Sequence, residues 1–123
     1  MSDMTSDGAP RSSRPISWVR AARSDFTDFP AEVRDRLLAA LTIVAEGRMP
    51  DIAKPLRGLG SGVFQLALRY RGDAFRLVYA VQLGADVWVV HAFRKKSKTG
   101  ISTPKAEIDL IRQRLYRLRE MLR

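Results

Sequence analysis

The chain has 123 residues, of which 46% are hydrophobic and 28% charged, a globular balance with room for one core but hardly for two. It has no cysteine and only one histidine, which excludes a disulfide framework and thiolate chemistry and disfavours zinc binding and metal catalysis. The 22 Lys and Arg exceed the 13 Asp and Glu by nine, so a polyanion is the expected partner.

The excess of positive charge is confined to the second part of the chain. Residues 54–123 carry 15 basic and 5 acidic side chains, whereas residues 1–53 carry 7 and 8. Most of the basic residues are arginines, whose planar guanidinium matches phosphate better than a lysine ammonium does. Solvated arginines that merely keep a small protein in solution are the alternative, but the asymmetry favours nucleic-acid binding.

Residues 1–14 predict a flexible tail, because they hold almost no side chain worth burying, and residues 15–123 predict a single domain. The N-terminal stretch lacks the apolar region of a signal peptide, and no apolar run approaches the roughly 20 residues of a membrane span. We therefore expect a cytoplasmic protein with no membrane partner.

The first elements are a short strand at residues 16–20 and a turn at 25–30 that leads into a helix with Pro30 at its first position. This helix is predicted to end near Glu46, before Gly47. Its apolar stripe has spacings of four, four and three and consists of Val33, Leu37, Leu41 and Val44.

The middle of the chain predicts an antiparallel meander. Residues 49–62, which are interrupted by prolines and glycines, read as a loop. Strands are predicted at 63–70, 74–81 and 86–94, because short glycine-containing connections at hairpin spacing separate them. Residues 95–103 read as a basic loop.

The last element is a helix for which Thr103 is the expected cap and Pro104 the first residue. Its stripe alternates spacings of three and four and consists of Ile108, Ile111, Leu115, Leu118 and Leu122. One predicted helix precedes the strands in the sequence, and another follows them. This order predicts an α+β domain in which the helices cover one face of the sheet and leave the other open for a ligand.

Alternation along the strands places Arg69 and Arg76 together on the face predicted to be open. In the third strand His91 alternates with Val89 and Phe93, and alternation alone does not decide which side these residues face. The nearby aspartates fall in turns, so no carboxylate is expected beside this histidine, and a carboxylate-driven or two-metal nuclease is poorly supported.

These side chains suit RNA cleavage by the 2′-hydroxyl, which needs a proton acceptor, a proton donor and cations around the phosphate. Arg76, His91, Lys95 and Tyr79 are the candidate catalytic residues. A lone histidine in an apolar strand is more often a packed residue satisfied by one hydrogen bond, but the arginine pair on the sheet favours a catalytic one.

A second set of basic side chains predicts phosphate contacts. The basic cluster that follows the third strand is either a solvated loop or part of this surface. The predicted phosphate-binding residues are Lys54, Arg57, Arg69, Arg94, Lys96 and Lys98.

Taken together, several segments resemble the phage-related, HigB-like branch of the RelE/ParE toxin superfamily, over about residues 15–120. They are KPLRGL at 54–59, GDAFRLVY at 72–79, HAFRKKS at 91–97 and the Thr-Pro start of the last helix. The most specific elements are the aromatic-Arg-x-x-Tyr strand and the His-Ala-Phe-x-Lys-Lys segment, in that order.

The resemblance implies a compact α+β domain with an N-terminal helical segment and a C-terminal helix packed on an antiparallel sheet. It also implies the toxin of a type II toxin-antitoxin pair that cleaves mRNA, usually on the ribosome, needs no cofactor and is silenced by a helix-turn-helix antitoxin. By this likeness Arg76 stabilises the phosphate, and His91, Lys95 and Lys96 are active-site candidates. Relatives commonly have Glu where this chain has Gln65, and since Gln cannot accept a proton, His91 ranks above it as the base.

A second class of function uses the same basic face without catalysis. It comprises a ParE-like gyrase inhibitor and a phage-derived adaptor. Neither requires Arg76, His91 and Lys95 to converge, so their convergence distinguishes the enzyme from the binding module.

Overall fold

The computed structural model describes residues 13–96 and 103–123. Three helices and five strands confirm the predicted α+β class. In chain order the elements are β1 (Ile16–Trp18), α1 (Arg20–Thr27), α2 (Ala31–Ala45), β2 (Ala53–Pro55), β3 (Val63–Tyr70), β4 (Asp73–Leu83), β5 (Asp86–Lys96) and α3 (Lys105–Met121).

The strands form one sheet in the order β1-β5-β4-β3-β2. Strands β2 to β5 pair antiparallel, and β1 pairs parallel with β5. The predicted meander of β3, β4 and β5 is thus confirmed. Arg71 and Gly72 connect β3 to β4 with φ of 51° and 87°, the positive values that a two-residue hairpin turn of type I′ requires.

Some element boundaries differ from those predicted. Residues 20–27 form a helix of their own, and a three-residue strand lies within the predicted loop 49–62. Strand β5 continues to Lys96, so Lys95 belongs to the sheet and not to a loop. Pro30 and Pro104 each precede the first helical residue, and Thr103 does not cap α3.

Helices cover both faces of the sheet, so the prediction that they cover only one is wrong. On one face, Leu37 and Leu41 of α2 pack in a core with Leu77 of β4. On the other, Ile111 of α3 packs in a core with Val78 of β4. The reason is visible in β4, which carries apolar side chains on both faces and must be covered on both.

A β-bulge in β5 breaks the alternation predicted around His91. Val78 is opposite His91, but the next residue, Tyr79, is opposite Val89, which leaves Val90 as the extra residue. Val89 therefore packs in the core beneath α1 and α2, whereas Val90 packs with α3.

The folded domain begins before the predicted boundary at residue 15. The Arg14 backbone N–H donates to the carbonyl oxygen of Ala45 at 2.9 Å, and its guanidinium donates to three carbonyl oxygens around the β4–β5 turn. Residues 1–12 of the predicted tail lie outside the described residues. Within the described ranges, no helix has the length and apolar character of a membrane span.

Candidate nucleic-acid interface

A groove of about 200 Å³ lies on the α3 side of the sheet. We call it the Arg76 groove. Lys54 is opposite Gln65, and Arg76 is opposite Ala67, so these side chains share one face. The lining residues are Lys54, Gln65, Ala67, Leu68, Arg69, Ala74 and Arg76.

Arg76 is the buried cation of this groove. Its side chain is 5% exposed, and its Nε and Nη1 atoms are buried with no hydrogen-bond partner among the described residues. Burial, and secondly the charge of Arg69, lower the pKa of the guanidinium, which still keeps its proton at neutral pH. Unsatisfied buried donors cost about 1–3 kcal/mol each, and the oxygens of a bound anion would remove that cost.

Other cations share the face of Arg76. Lys54 and Arg69 are exposed, and Arg69 lies opposite Ala74 on β4. Lys95 of β5 is also opposite Ala74, from the other side. The prediction that Arg69 and Arg76 share a face is confirmed, and Lys95 and Lys54 extend the positive surface on both sides of them.

Gln65 contributes a hydrogen-bond donor to the groove. The Thr103 hydroxyl donates to Gln65 Oε1 at 3.0 Å, which engages one of the two lone pairs of that oxygen. The remaining polar atom of Gln65 is its NH₂ group, which donates only. Because no lining residue is a carboxylate or a histidine, the groove presents donors and positive charge.

His91 is packed beneath α3, with both ring nitrogens occupied. The ring is 2% exposed. Nδ1 lies 2.8 Å from Arg114 Nη1, and Nε2 lies 2.6 Å from Glu107 Oε1. Since a guanidinium can only donate, Nδ1 accepts from Arg114 and the proton is on Nε2, which donates to Glu107.

Burial lowers the pKa of His91. The hydrogen bond to Glu107 opposes this effect, and the charge of Arg114 adds to it. The ring is therefore neutral at pH 7, and neither nitrogen is left for a substrate. This geometry disfavours the proton-transfer role predicted for His91.

The expectation of no carboxylate beside His91 is wrong, because Glu107 reaches it from α3. Glu107 and Arg114 are two turns apart on one helix face. That spacing was visible in the sequence. What the sequence did not reveal is that this helix face lies over the β5 bulge.

Tyr79 lies on the opposite sheet face from Arg76. It is buried in the core under α2, stacks on Phe64 with ring centroids 5.6 Å apart, and its burial raises its pKa to about 12. Alternation along β4 dictates this placement, since positions 76 and 79 are an odd number of residues apart. The structure therefore separates Tyr79 from the Arg76 groove.

The predicted phosphate-binding residues divide between the two faces. Arg94 points away from Arg76, with Nε 3.0 Å from Asp73 Oδ2 and its guanidinium 4.9 Å above the Phe75 ring. Lys96 is opposite Asp73 on that same face. Arg57 is exposed in the loop after β2 and does not line the groove, and Lys98 lies outside the described residues.

The described residues offer no cluster of metal ligands. In residues 13–96 and 103–123, no three His, Cys, Asp or Glu side chains are grouped to hold an ion.

Comparison with known proteins identifies one family that matches this sequence and solved structures that share its fold. Residues 24–116 match the family described as Phage derived protein Gp49-like (DUF891). No curated protein matches the sequence.

Solved structures of RelE toxins share the fold. The isolated E. coli RelE toxin matches with a TM-score of 0.55 and 21% identity over 81% of this chain and 97% of that one. A free E. coli RelE carrying two Arg-to-Ala changes matches with a TM-score of 0.58 and 20% identity over 85% and 97%. The toxin-antitoxin complex RelBE2 of Mycobacterium tuberculosis matches with a TM-score of 0.48 and 19% identity over 68% and 99%. The chain thus has the RelE fold, as the resemblance predicted, and the narrower HigB-like branch stays a prediction.

Proposed function

The chain belongs to the family of phage-derived Gp49-like proteins, and on that premise we propose that it is the toxin of a type II toxin-antitoxin pair and cleaves mRNA. The observation that carries the proposal is Arg76, a buried guanidinium at the base of a positively charged groove, two of whose donors have no partner in residues 13–96 and 103–123. The RelE fold supports the same function.

In the proposed reaction the ribose 2′-hydroxyl gives its proton to solvent hydroxide, because no residue that lines the groove is a carboxylate or a histidine, and the 2′-oxygen attacks the adjacent phosphorus. The bond to the 5′-oxygen breaks, and the products are a 2′,3′-cyclic phosphate and a 5′-hydroxyl. The crowded phosphate gains negative charge on the way, and Arg76 is placed to stabilise it. Lys54 and Arg69 hold the neighbouring phosphates, and Lys95 protonates the leaving oxygen.

His91 acts in this proposal as a positioning residue. Its bonds to Glu107 and Arg114 fix α3 against β5. Thr103, just before α3, then holds the amide of Gln65 at the groove. Arg76 and Lys95 are the groups that act on the reacting phosphate.

The proposed partners follow from the charge. Translated mRNA on the ribosome supplies phosphates, and a helix-turn-helix antitoxin that is acidic where it contacts this chain would neutralise the toxin. The antitoxin is expected to cover the Arg76 groove or α3.

The test is induced expression of the full chain, with mapping of mRNA 5′ ends and a growth measurement. We expect growth arrest and new 5′ ends, and a loss of cleavage on the order of 10²–10³ for Arg76→Ala, as when one charge-stabilising donor is removed. Arg36→Ala, at an exposed position on α2, is the matched control and should cleave normally.

Two outcomes would contradict the proposal. Full cleavage by a folded Arg76→Ala variant would remove the groove from the mechanism. Growth arrest without new 5′ ends, together with inhibition of gyrase in a supercoiling assay, would favour the non-catalytic alternative.

A further inference from the structure

A second groove, of about 450 Å³, lies between α3 and the edge of the sheet formed by β1. We call it the tryptophan groove, because Trp18 of β1 and Trp88 of β5 line it. These are the only two tryptophans of the chain. The groove shares no lining residue with the Arg76 groove.

The floor of this groove is apolar. Trp18 and Trp88 are half-buried, and Met121 at the end of α3 is 65% exposed. Leu110 and Leu118 complete the floor between them. Large aromatic side chains and Met are the residues enriched where protein partners bind.

The rim of the groove is positive. Arg20 and Arg117 line it and are exposed, and Arg23 lines an adjoining cavity that also includes Trp18 and Trp88. Within the described ranges, none of these three arginines has a carboxylate partner in an ion pair. The rim therefore carries positive charge that no carboxylate of the described residues pairs with.

The groove follows a stripe of α3 that lies beside its buried stripe, with which it shares Leu118. Leu110, Arg114, Arg117 and Met121 recur at spacings of four, three and four and face the groove. At 1.5 Å per residue this stripe spans about 16 Å, the length of roughly three helical turns.

We propose that the tryptophan groove docks an amphipathic, acidic helix of a partner protein, about three turns long. Its apolar side chains would pack on Trp18, Trp88 and Met121, and its carboxylates would pair with Arg20 and Arg117. This is the helix-in-groove mode of recognition.

The charges and the floor favour this occupant over two others. A second copy of the chain would bring arginines against arginines, and each copy already carries a net charge of +9. RNA phosphates would pair with the positive rim, but a polar sugar-phosphate backbone would leave the apolar surface of Leu110, Leu118 and Met121 without an apolar partner. An acidic amphipathic helix satisfies both the rim and the floor.

The test uses the full chain and synthetic helical peptides of 14 residues with Leu at every third or fourth position. One peptide carries Glu on both flanks, and its control carries Gln at the same places. Because both tryptophans line the groove, their fluorescence reports binding there. We expect the Glu peptide to shift the emission and to bind at least tenfold more tightly than the Gln peptide.

Variants connect that binding to the groove. Arg117→Glu and Met121→Glu should each weaken the Glu peptide at least tenfold, whereas Arg36→Glu, the matched charge change on α2, should not. Arg76→Ala should also leave peptide binding unchanged, so failure of the RNA-cleavage proposal and failure of this one are separable.

Three outcomes would overturn the inference. Equal binding of the Glu and Gln peptides would remove the role of the rim. An emission shift produced by an RNA oligonucleotide but not by the Glu peptide would assign the groove to RNA. If the molecular mass doubles as the protein concentration rises, and the Met121→Glu variant stays monomeric, the groove binds a second copy of the chain.

Discussion

The buried guanidinium of Arg76 lowers the stability of the fold but offers donors to an anion. Its Nε and Nη1 donors are buried without partners among the described residues, and buried unsatisfied donors destabilise the native state. A position that lowers stability while creating an anion site is characteristic of functional groups.

We expect Arg76→Met to raise the free energy of unfolding by about 1–3 kcal/mol, because an apolar chain of similar length removes the unsatisfied donors. Urea denaturation measures this change. Inorganic phosphate should stabilise the parent protein and not the variant, since the ligand stabilises only a native state that binds it. A destabilised Arg76→Met protein would mean that the guanidinium is satisfied in solution.

His91 makes folding stability depend on pH. Its pKa is lowered in the folded state, so below about pH 6.5 the unfolded chain binds the extra proton first. The stabilisation is fully present above that value and is lost as pH falls towards the folded pKa, with a slope of at most about 1.4 kcal/mol per pH unit. We expect His91→Gln to flatten this slope in unfolding curves between pH 7.5 and 5.5.

The same His91→Gln variant tests the role of the residue in cleavage. The Gln amide can accept from Arg114 and donate to Glu107, as the neutral ring does, so stability at pH 7.5 should be nearly native and cleavage should be retained. His91→Ala, which removes both bonds, is expected to lower stability and cleavage together. If the His91→Gln variant is stable but has lost most of its cleavage activity, His91 transfers a proton in the reaction.

At the scale of elements, Arg14 ties the start of the domain to the β4–β5 turn. Its guanidinium donates to the carbonyl oxygens of Val81, Ala85 and Asp86 at 2.8–2.9 Å. We expect Arg14→Ala to lower the free energy of unfolding by about 1–3 kcal/mol. Thermal denaturation measures the loss, and amide hydrogen exchange should increase first in this hairpin.

Arg36→Ala is the control for Arg14→Ala, because Arg36 is an exposed arginine on α2. It should change stability by less than about 0.5 kcal/mol, as surface substitutions usually do. Equal stability of the two variants would show that the Arg14 bonds to the turn contribute nothing.

The elements that local sequence determines were predictable. The meander follows from period-two patterning and short glycine-containing turns, and the helices α2 and α3 follow from their apolar stripes. Helix α1 was missed because it is eight residues long and buries only Ala22 and Phe26. Strand β2 was missed because it is three residues long and ends in Pro55, so it has too few positions to show a period.

The candidate site was predictable only where it depends on one strand pair. Arg69 and Arg76 share a face because side chains alternate, and the same rule places Tyr79 on the other face. The surroundings of His91 depend on the bulge at Val90 and on how α3 packs, and both are tertiary features with no local signal. The covering of both sheet faces did have a signal, in the apolar side chains on both sides of β4.

At the scale of the whole molecule, the fold gathers basic side chains from both parts of the chain into distinct surfaces. The Arg76 groove and Lys95 form one of them, and the rim of the tryptophan groove forms another. Helix α3 contributes arginines to the second surface. The two surfaces share no lining residue, so the RNA and the acidic helix that we propose as ligands would bind at different places on the domain.

RNA binding at the Arg76 groove should weaken as the salt concentration rises. If Lys54, Arg69, Arg76 and Lys95 each neutralise one phosphate, the logarithm of the affinity for single-stranded RNA should fall with a slope of about −2.8 against the logarithm of salt, or about 50-fold between 50 and 200 mM. Binding to a 2′-O-methyl RNA, which cannot be cleaved through its 2′-oxygen, measures this slope without turnover. Lys54→Ala should reduce the slope by about 0.7, whereas Arg36→Ala should leave it unchanged. A slope near zero would mean that phosphate contacts do not drive binding, and an unchanged slope in Lys54→Ala would place that residue outside the RNA footprint.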